Sequence, residues 1–213
     1  MKFEVPNSTQ ECLLNAAERL FVKNGFAATS LRSIAAAAQV NLAATHYHFG
    51  SKEGLFEAVI HRRVMPVNEA RLSALDAIEA RTDYQLEDVL EAFLAPLLSH
   101  QTAHLPGLVA RIYSEPQVVS QPVLEKEFGE IVNRFVAAIS KVLPGVPKPE
   151  LLWRFHFLVG GMLQTLSVAT PIGSEGVTTT EDKFLQLVHF ASAGFRAPAI
   201  QADRGIEQTR GKA

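Results

Sequence analysis

Apolar positions recur along this chain at spacings of three and four nearly from end to end, and no stretch sustains the alternation of a strand. The first run, Leu13, Ala16, Ala17, Leu20 and Phe21, is one face of a helix. Ser8 with Glu11 three residues on reads as a capping box that opens it, and Gly25 as its stop. A second helix begins at Thr29 or Ser30 and runs through Ile34 and the small residues of 35–38. Gln39, Val40 and Asn41 make a tight turn. Asn41 caps a two-turn third helix that ends at Gly50, and Ser51 caps a fourth that reaches about Arg81. Pro66 lies within that fourth helix, where a missing backbone donor predicts a kink and a hinge.

Further along, the pattern predicts helices over 83–99, 108–114, 122–143 with proline at its first position, and 149–170. A last helix runs from Thr179 or Thr180 to about Arg196, and residues 197–213, without periodicity, are expected to be a flexible tail. The predicted fold is therefore all-α. Residues 1–50 form a three-helix unit with a helix-turn-helix, residues 51–196 a larger helical domain, and the fourth helix is a shared rod with its seam near residue 65. The helix over 149–170 is apolar nearly all round: Leu152, Phe155, Val159, Met162 and Leu166 make one stripe, while Trp153, Phe157 and Leu163 fill other faces. Such a helix buries more than one side. Phe184, Leu187, Val188, Ala191 and Phe195 line the last helix, with Leu185 and Phe190 elsewhere, and this surplus suggests a partner or a thick single-chain core.

Composition narrows the class. A hydrophobic fraction of 47% with 20% charged residues is that of a soluble globular protein, and no uncharged apolar run is long enough to span a membrane. MKFEVPNSTQE lacks the apolar core of a signal peptide, and the single cysteine, Cys12, fits a reducing cytoplasm. The net charge of −2 is unevenly spread: residues 1–65 carry +2 and the remainder −4.

The stretch NLAATHYHFGSKEGLF, residues 41–56, concentrates ring side chains beside a glycine. His46 and His48 stand two apart on a helix, about 200° around its axis, and cannot grip one metal ion. His100 and His104 are better spaced but have no third ligand at a suitable distance. No nucleophile elbow or phosphate-cradling glycine loop appears, and GSEG at 173–176 lacks the context for one, so neither an enzyme nor a cofactor is expected. A helix-turn-helix explains more residues together. It sets the start of its last helix against base edges in the major groove. Leu42, Ala43, Ala44 and His46 face outward there: apolar groups suit thymine methyls, and the histidine can donate or accept. Tyr47, His48 and Lys52 at the helix end suit phosphate oxygens, beside the N-terminus of the next helix. Arg32 on the second helix can reach a base or a phosphate. Tyr47 also reads as partly core, and Phe49 reads mainly as core.

These residues resemble the N-terminal domain of the TetR family of bacterial transcriptional repressors. The resemblance covers residues 8–56, about a quarter of the chain, and rests on AAERLFVKNGF, then T-S-x-R-x-I-A, then Y-H-F-G-S-K-E-x-L-F. It implies base-facing roles for Arg32, Leu42, Ala43, Ala44 and His46, and phosphate contacts for Ser30, Tyr47, His48 and Lys52. Two positions depart from the pattern: Gln39 replaces the usual glycine of the turn, and His46 the common tyrosine. The resemblance further implies double-stranded operator DNA as partner, a homodimer through the last two helices, and a small hydrophobic or amphipathic effector between the middle helices. Candidate effector residues are Phe93, Leu97, Arg111, Tyr113, Phe128, Phe135, Trp153, Phe157 and Met162, with Arg111 as anion anchor. LPGLVARIYSEP and LLWRFHFLVGGMLQTLS resemble the branch that includes fatty-acid-responsive regulators, which implies an acyl or carboxylate ligand. A cytoplasmic, nucleoid-associated repressor is the resulting expectation. A small-molecule-binding helical dimer that does not bind DNA is the alternative.

Overall fold

A computed structural model describes residues 8–98, 105–167 and 179–199, without the side chains of residues 106, 107, 110, 111 and 167. Among the described residues every regular element is helical. α1 (Thr9–Asn24), α2 (Leu31–Ala38), α3 (Leu42–Phe49) and α4 (Lys52–Glu79) are followed by α5 (Leu86–Leu94), a 3-10 turn (Ala95–Leu98), α6 (Leu105–Tyr113), α7 (Gln117–Val142), α8 (Lys148–Ser167) and α9 (Thr180–Arg196).

The starts follow local capping chemistry. Ser8 and Glu11 form the reciprocal box at α1, Ser30 caps α2, Asn41 caps α3, Ser51 caps α4, and Thr179 with Asp182 caps α9. Each accepts a hydrogen bond from an N–H that the first turn leaves without a helical partner.

Three expectations shift. The helix expected over 83–99 starts at Leu86, and Pro96 converts its end into the 3-10 turn. The segment around Leu108 begins earlier, at Leu105, with Pro106 in its first turn, where proline's missing donor costs nothing. α7 begins at Gln117, so Pro122 is not its first residue but sits in its second turn. The carbonyl that loses its donor there belongs to Val118, which is 83% exposed, so water can take the bond. The two helical-histidine positions His100 and His104, residues 173–176 and the tail from 200 lie outside the described residues.

α4 runs unbroken through Pro66, whose ring is exposed. Its buried row Leu55, Val59, Ile60, Val64, Val67, Arg71 and Leu75 extends almost the full length of the helix. The first half packs on α1, where Phe21, Phe26 and Phe56 stack with centroids 5.0–5.9 Å apart. Arg62 and Arg63 clasp Glu18 of α1 at 2.6 and 2.9 Å. The second half packs on α5 and α7, with Leu86, Leu90, Phe135 and Ile139 fully buried around it. One helix thus carries a single continuous core from α1 to α5 and α7.

Candidate nucleic-acid interface and effector cavity

The α1–α2 turn is fixed by Thr29, 2% exposed, whose hydroxyl donates to the carbonyl of Gly25 at 2.7 Å. Ser30 accepts from the N–H of Ser33 at 3.0 Å, and Arg32 projects from the first turn of α2 into solvent. The turn into α3 passes through Gln39 at φ 56°, ψ 40°, the left-handed region that favours glycine. This is where the chain departs from the usual glycine. Gln39→Gly is therefore expected to hold or raise the stability, by up to ~1 kcal/mol, and Gln39→Val to lower it by ~1–2 kcal/mol. Urea denaturation of the two variants checks the order, and a loss of stability on the glycine would contradict the strain.

Thr45 is the fully buried residue of α3 and sets its rotation. Ala43 and Tyr47 lie across the helix from Thr45, and His46 and Leu42 continue the exposed row around one flank. Leu42 is 38% and Tyr47 86% exposed, so the second reading of Tyr47, as core, is not what the structure places. Phe49 is half-buried against the core, and Ala44 is half-buried at the edge of the row. His48 is exposed, its ring edge-on to Tyr47 at 5.1 Å. His46 is exposed too, with Nδ1 3.1 Å from the carbonyl of Gly50. That contact makes Nδ1 the protonated nitrogen of the neutral ring and leaves Nε2 as an outward acceptor.

At the α3–α4 corner Gly50 takes φ 72°, and Ser51 accepts from the N–H of Gly54 at 3.1 Å. Lys52 does not simply extend into solvent. Its ammonium donates to the carbonyl of Phe26 at 3.0 Å and sits 4.1 Å from the centre of that ring. On the other side of the same residue, the Phe26 N–H donates to the Glu115 carboxylate at 2.9 Å. Glu115 follows α6, so Phe26 ties α1–α2, α4 and α6 together.

Sequence reasoning missed both Glu115 and the residue that dominates the second site, a cavity of about 50 Å³ between α4, α5, α6, α7 and α8. Of the candidate effector residues, Phe93, Leu97, Tyr113, Phe128 and Met162 line it. Phe135 is fully buried behind Phe93, edge-on at 5.2 Å. Trp153 and Phe157 are not in it: they point outward from α8, 63% and 65% exposed. The side chain of Arg111 lies outside the described residues. The cation in the wall is instead Arg71 of α4, 3% exposed, with its guanidinium 4.0 Å from the centre of the Phe93 ring. Burial pulls it down to about 9, still well above neutrality, so it is charged at pH 7. Its sequence signal was an arginine in the row of Val64, Val67 and Leu75, an apolar face at helical spacing.

On the outer surface of α8 and α9, Trp153, Phe157 and Phe190 stand 63%, 65% and 75% exposed. Phe157, Phe190, Gly161 and Gly194 line one groove of about 230 Å³. Arg154, beneath it, ties α8 to the end of α9 by donating to the carbonyl of Phe195 at 2.6 Å.

A capped helix-turn-helix joined by one rod to a helical body with an apolar cavity defines the class: a helix-turn-helix module on a larger all-α domain. Residues 13–59 match the family model described as bacterial regulatory proteins, tetR family, and residues 91–194 the one described as tetracyclin repressor-like, C-terminal domain. The chain belongs to the TetR family. It is 29% identical over 118 residues to the HTH-type transcriptional regulator UidR of Escherichia coli, an alignment covering 53% of this chain and 56% of UidR. The chain thus spans little more than half the length of that relative. It is 26% identical over 156 residues to the HTH-type transcriptional repressor SCO4008 of Streptomyces coelicolor, covering 70% of this chain and 74% of that one. The fold also matches Salmonella enterica GusR with a TM-score of 0.62 at 20% identity, over 92% of this chain and 99% of GusR. Among the described residues no cluster of metal-ligating side chains occurs, and no helix is long and apolar enough to cross a membrane.

Proposed function

We propose that this chain is a ligand-responsive transcriptional repressor that binds operator DNA as a homodimer and is released by a small hydrophobic or amphipathic effector. The observation that carries this reading is the outward row Leu42, Ala43, His46 and Tyr47 on a helix held by a capped turn, beside exposed Arg32. Residues 1–50 read DNA, and residues 51–196 bind effector and partner. Two copies joined through the exposed faces of α8 and α9 would set their α3 helices in successive major grooves, about 34 Å apart. The protein then works in the bacterial cytoplasm, at the nucleoid. An acyl ligand of the fatty-acid-responsive kind is one effector within this class.

Two routes connect cavity and reading head. α4 carries Arg71 in the cavity wall and Lys52 on Phe26; α6 carries Leu105, Val109 and Tyr113 in the wall and leads into Glu115 on the same Phe26. The cavity is smaller than the ~300–1,000 Å³ of ordinary ligand sites, so an effector must push its walls apart. Displacing α4 or α6 pulls on Phe26 and reorients the helix-turn-helix. The effector shifts the equilibrium only by its difference in affinity for the two arrangements.

Arg32→Ala and His46→Ala are each expected to weaken binding to DNA from upstream of the gene by ~10-fold or more, the ~1–3 kcal/mol of one good base contact. Fluorescence anisotropy on that DNA and on a scrambled duplex checks this. Equal affinities for both duplexes in the unaltered protein would instead favour a ligand-binding dimer without DNA-binding activity.

A further inference from the structure

The Arg71 guanidinium offers five N–H groups. Nε donates to the carbonyl of Phe93 at 2.8 Å, one terminal nitrogen to Asn68 Oδ1 at 3.3 Å, and the other only to the thioether sulfur of Met162 at 3.8 Å. Among the described residues two N–H groups are left without an acceptor and no carboxylate lies within ion-pair distance, the ring face of Phe93 at 4.0 Å being the counterpart the charge has. A buried cation is ordinarily paired, because isolated charge is costly away from water. The other buried arginine among the described residues obeys that rule: Arg154, 9% exposed, bonds Glu150 as well as the carbonyl of Phe195. Arg71 differs, and it stands in the wall of the cavity between α4, α5, α6, α7 and α8. Among the described residues the rest of that cavity wall is apolar, with Phe93, Phe128, Phe155 and Val159 in it and Tyr113 half-exposed.

We propose that Arg71 is the anion receptor of the cavity and that the effector is an apolar monocarboxylate, its carboxylate on the guanidinium and its aryl or medium-length alkyl body against the phenylalanines. This deepens the reading of the chain as an effector-responsive regulator and rests on it. The missing acceptors match a carboxylate, whose two oxygens take paired N–H donors in a fork. One cation balances one negative charge; a dianion such as a phosphate monoester would bring a second charge into an apolar wall. The space of about 50 Å³ takes a carboxylate or a few waters, and the body of the ligand has to displace wall side chains. Because Arg71 belongs to α4, the strongest contact of the effector is made with the helix that carries the reading head. The guanidinium is also desolvated in advance, so its charge-assisted bonds act in a low-dielectric setting.

The test uses the full chain with two probes, 4-phenylbutyrate and octanoate, each against its primary amide, followed by isothermal titration calorimetry in chloride-free buffer with sodium sulfate as control. The unaltered protein should bind at least one carboxylate and leave its amide at least ~30-fold weaker, the ratio that ~2 kcal/mol for a charge-assisted contact gives. Arg71→Met, checked for folding by its melting transition, should lose that preference, and Arg71→Lys, which keeps the charge but not the fork, should retain part of it. Equal binding of carboxylate and amide, undiminished carboxylate binding by Arg71→Met, or sulfate binding as tightly as the carboxylates would each overturn the assignment. So would no binding of either carboxylate. DNA binding of the unaltered protein, measured separately, tells that failure from failure of the regulator reading: selective DNA binding with no carboxylate response sinks the Arg71 assignment alone.

Discussion

Phe157→Glu is expected to yield a folded monomer that has lost tight operator binding. The side chain is 65% exposed on α8, so its replacement removes little from the fold of one copy. In the proposed dimer it lies in the groove it shares with Phe190, Gly161 and Gly194, against the same surface of the partner. Symmetry places each altered residue at the interface twice. Each lost phenylalanine forfeits ~1.5–3 kcal/mol of apolar burial, and each glutamate adds a charge that has to leave water. A rise of at least ~100-fold in the dimer dissociation constant follows, since ~3 kcal/mol already gives that factor. Analytical ultracentrifugation reads the mass directly. An unchanged dimer with Phe157→Glu would move the interface away from α8 and α9.

Gly54→Ala should destabilise the protein although the position is helical. In an exposed helix interior the change ordinarily stabilises by ~1 kcal/mol. Here an added Cβ would sit 2.4 Å from the carbonyl oxygen of Phe49, an atom fixed by the end of α3. That oxygen already accepts from the N–H of Ser51 at 2.8 Å, so it has little freedom to retreat. Either α3 or the first turn of α4 must shift, at the ~1–3 kcal/mol typical of overpacking. The same shift displaces the outward row of α3, so DNA affinity should fall with stability. Urea denaturation and anisotropy on the same preparation separate the two effects. A more stable Gly54→Ala protein would contradict the close α3–α4 approach.

Five helix starts were legible because capping is local: Ser8, Ser30, Asn41, Ser51 and Thr179 act within three residues of themselves, whereas α5, α6 and α7 start three to five residues from where the pattern put them. The outward side of α3 was legible for a related reason, since Thr45 is the one residue of that short helix the core takes completely. The effector residues were harder. α8 is apolar nearly all round, and nothing within it distinguishes Phe155 and Met162, turned to the cavity, from Trp153 and Phe157, turned outward. That choice is made by α7 and α9, which pack on it from distant sequence. Arg71 was less legible because arginine ordinarily lies at the surface, although its place in the row with Val67 and Leu75 marks the buried side of α4. The Glu115–Phe26 contact joins residues 89 apart and left no local pattern to find.

The most direct test of the account is anisotropy of the purified chain on its own upstream DNA and on a scrambled duplex, across a salt series. The account predicts tight binding to the upstream DNA at two half-sites per dimer, and weaker binding to the scrambled duplex. Both affinities should fall steeply with salt, because the counterions that binding releases from the phosphates gain less entropy in a more concentrated salt solution. Weak, equal binding to both duplexes, with no second half-site, would contradict it.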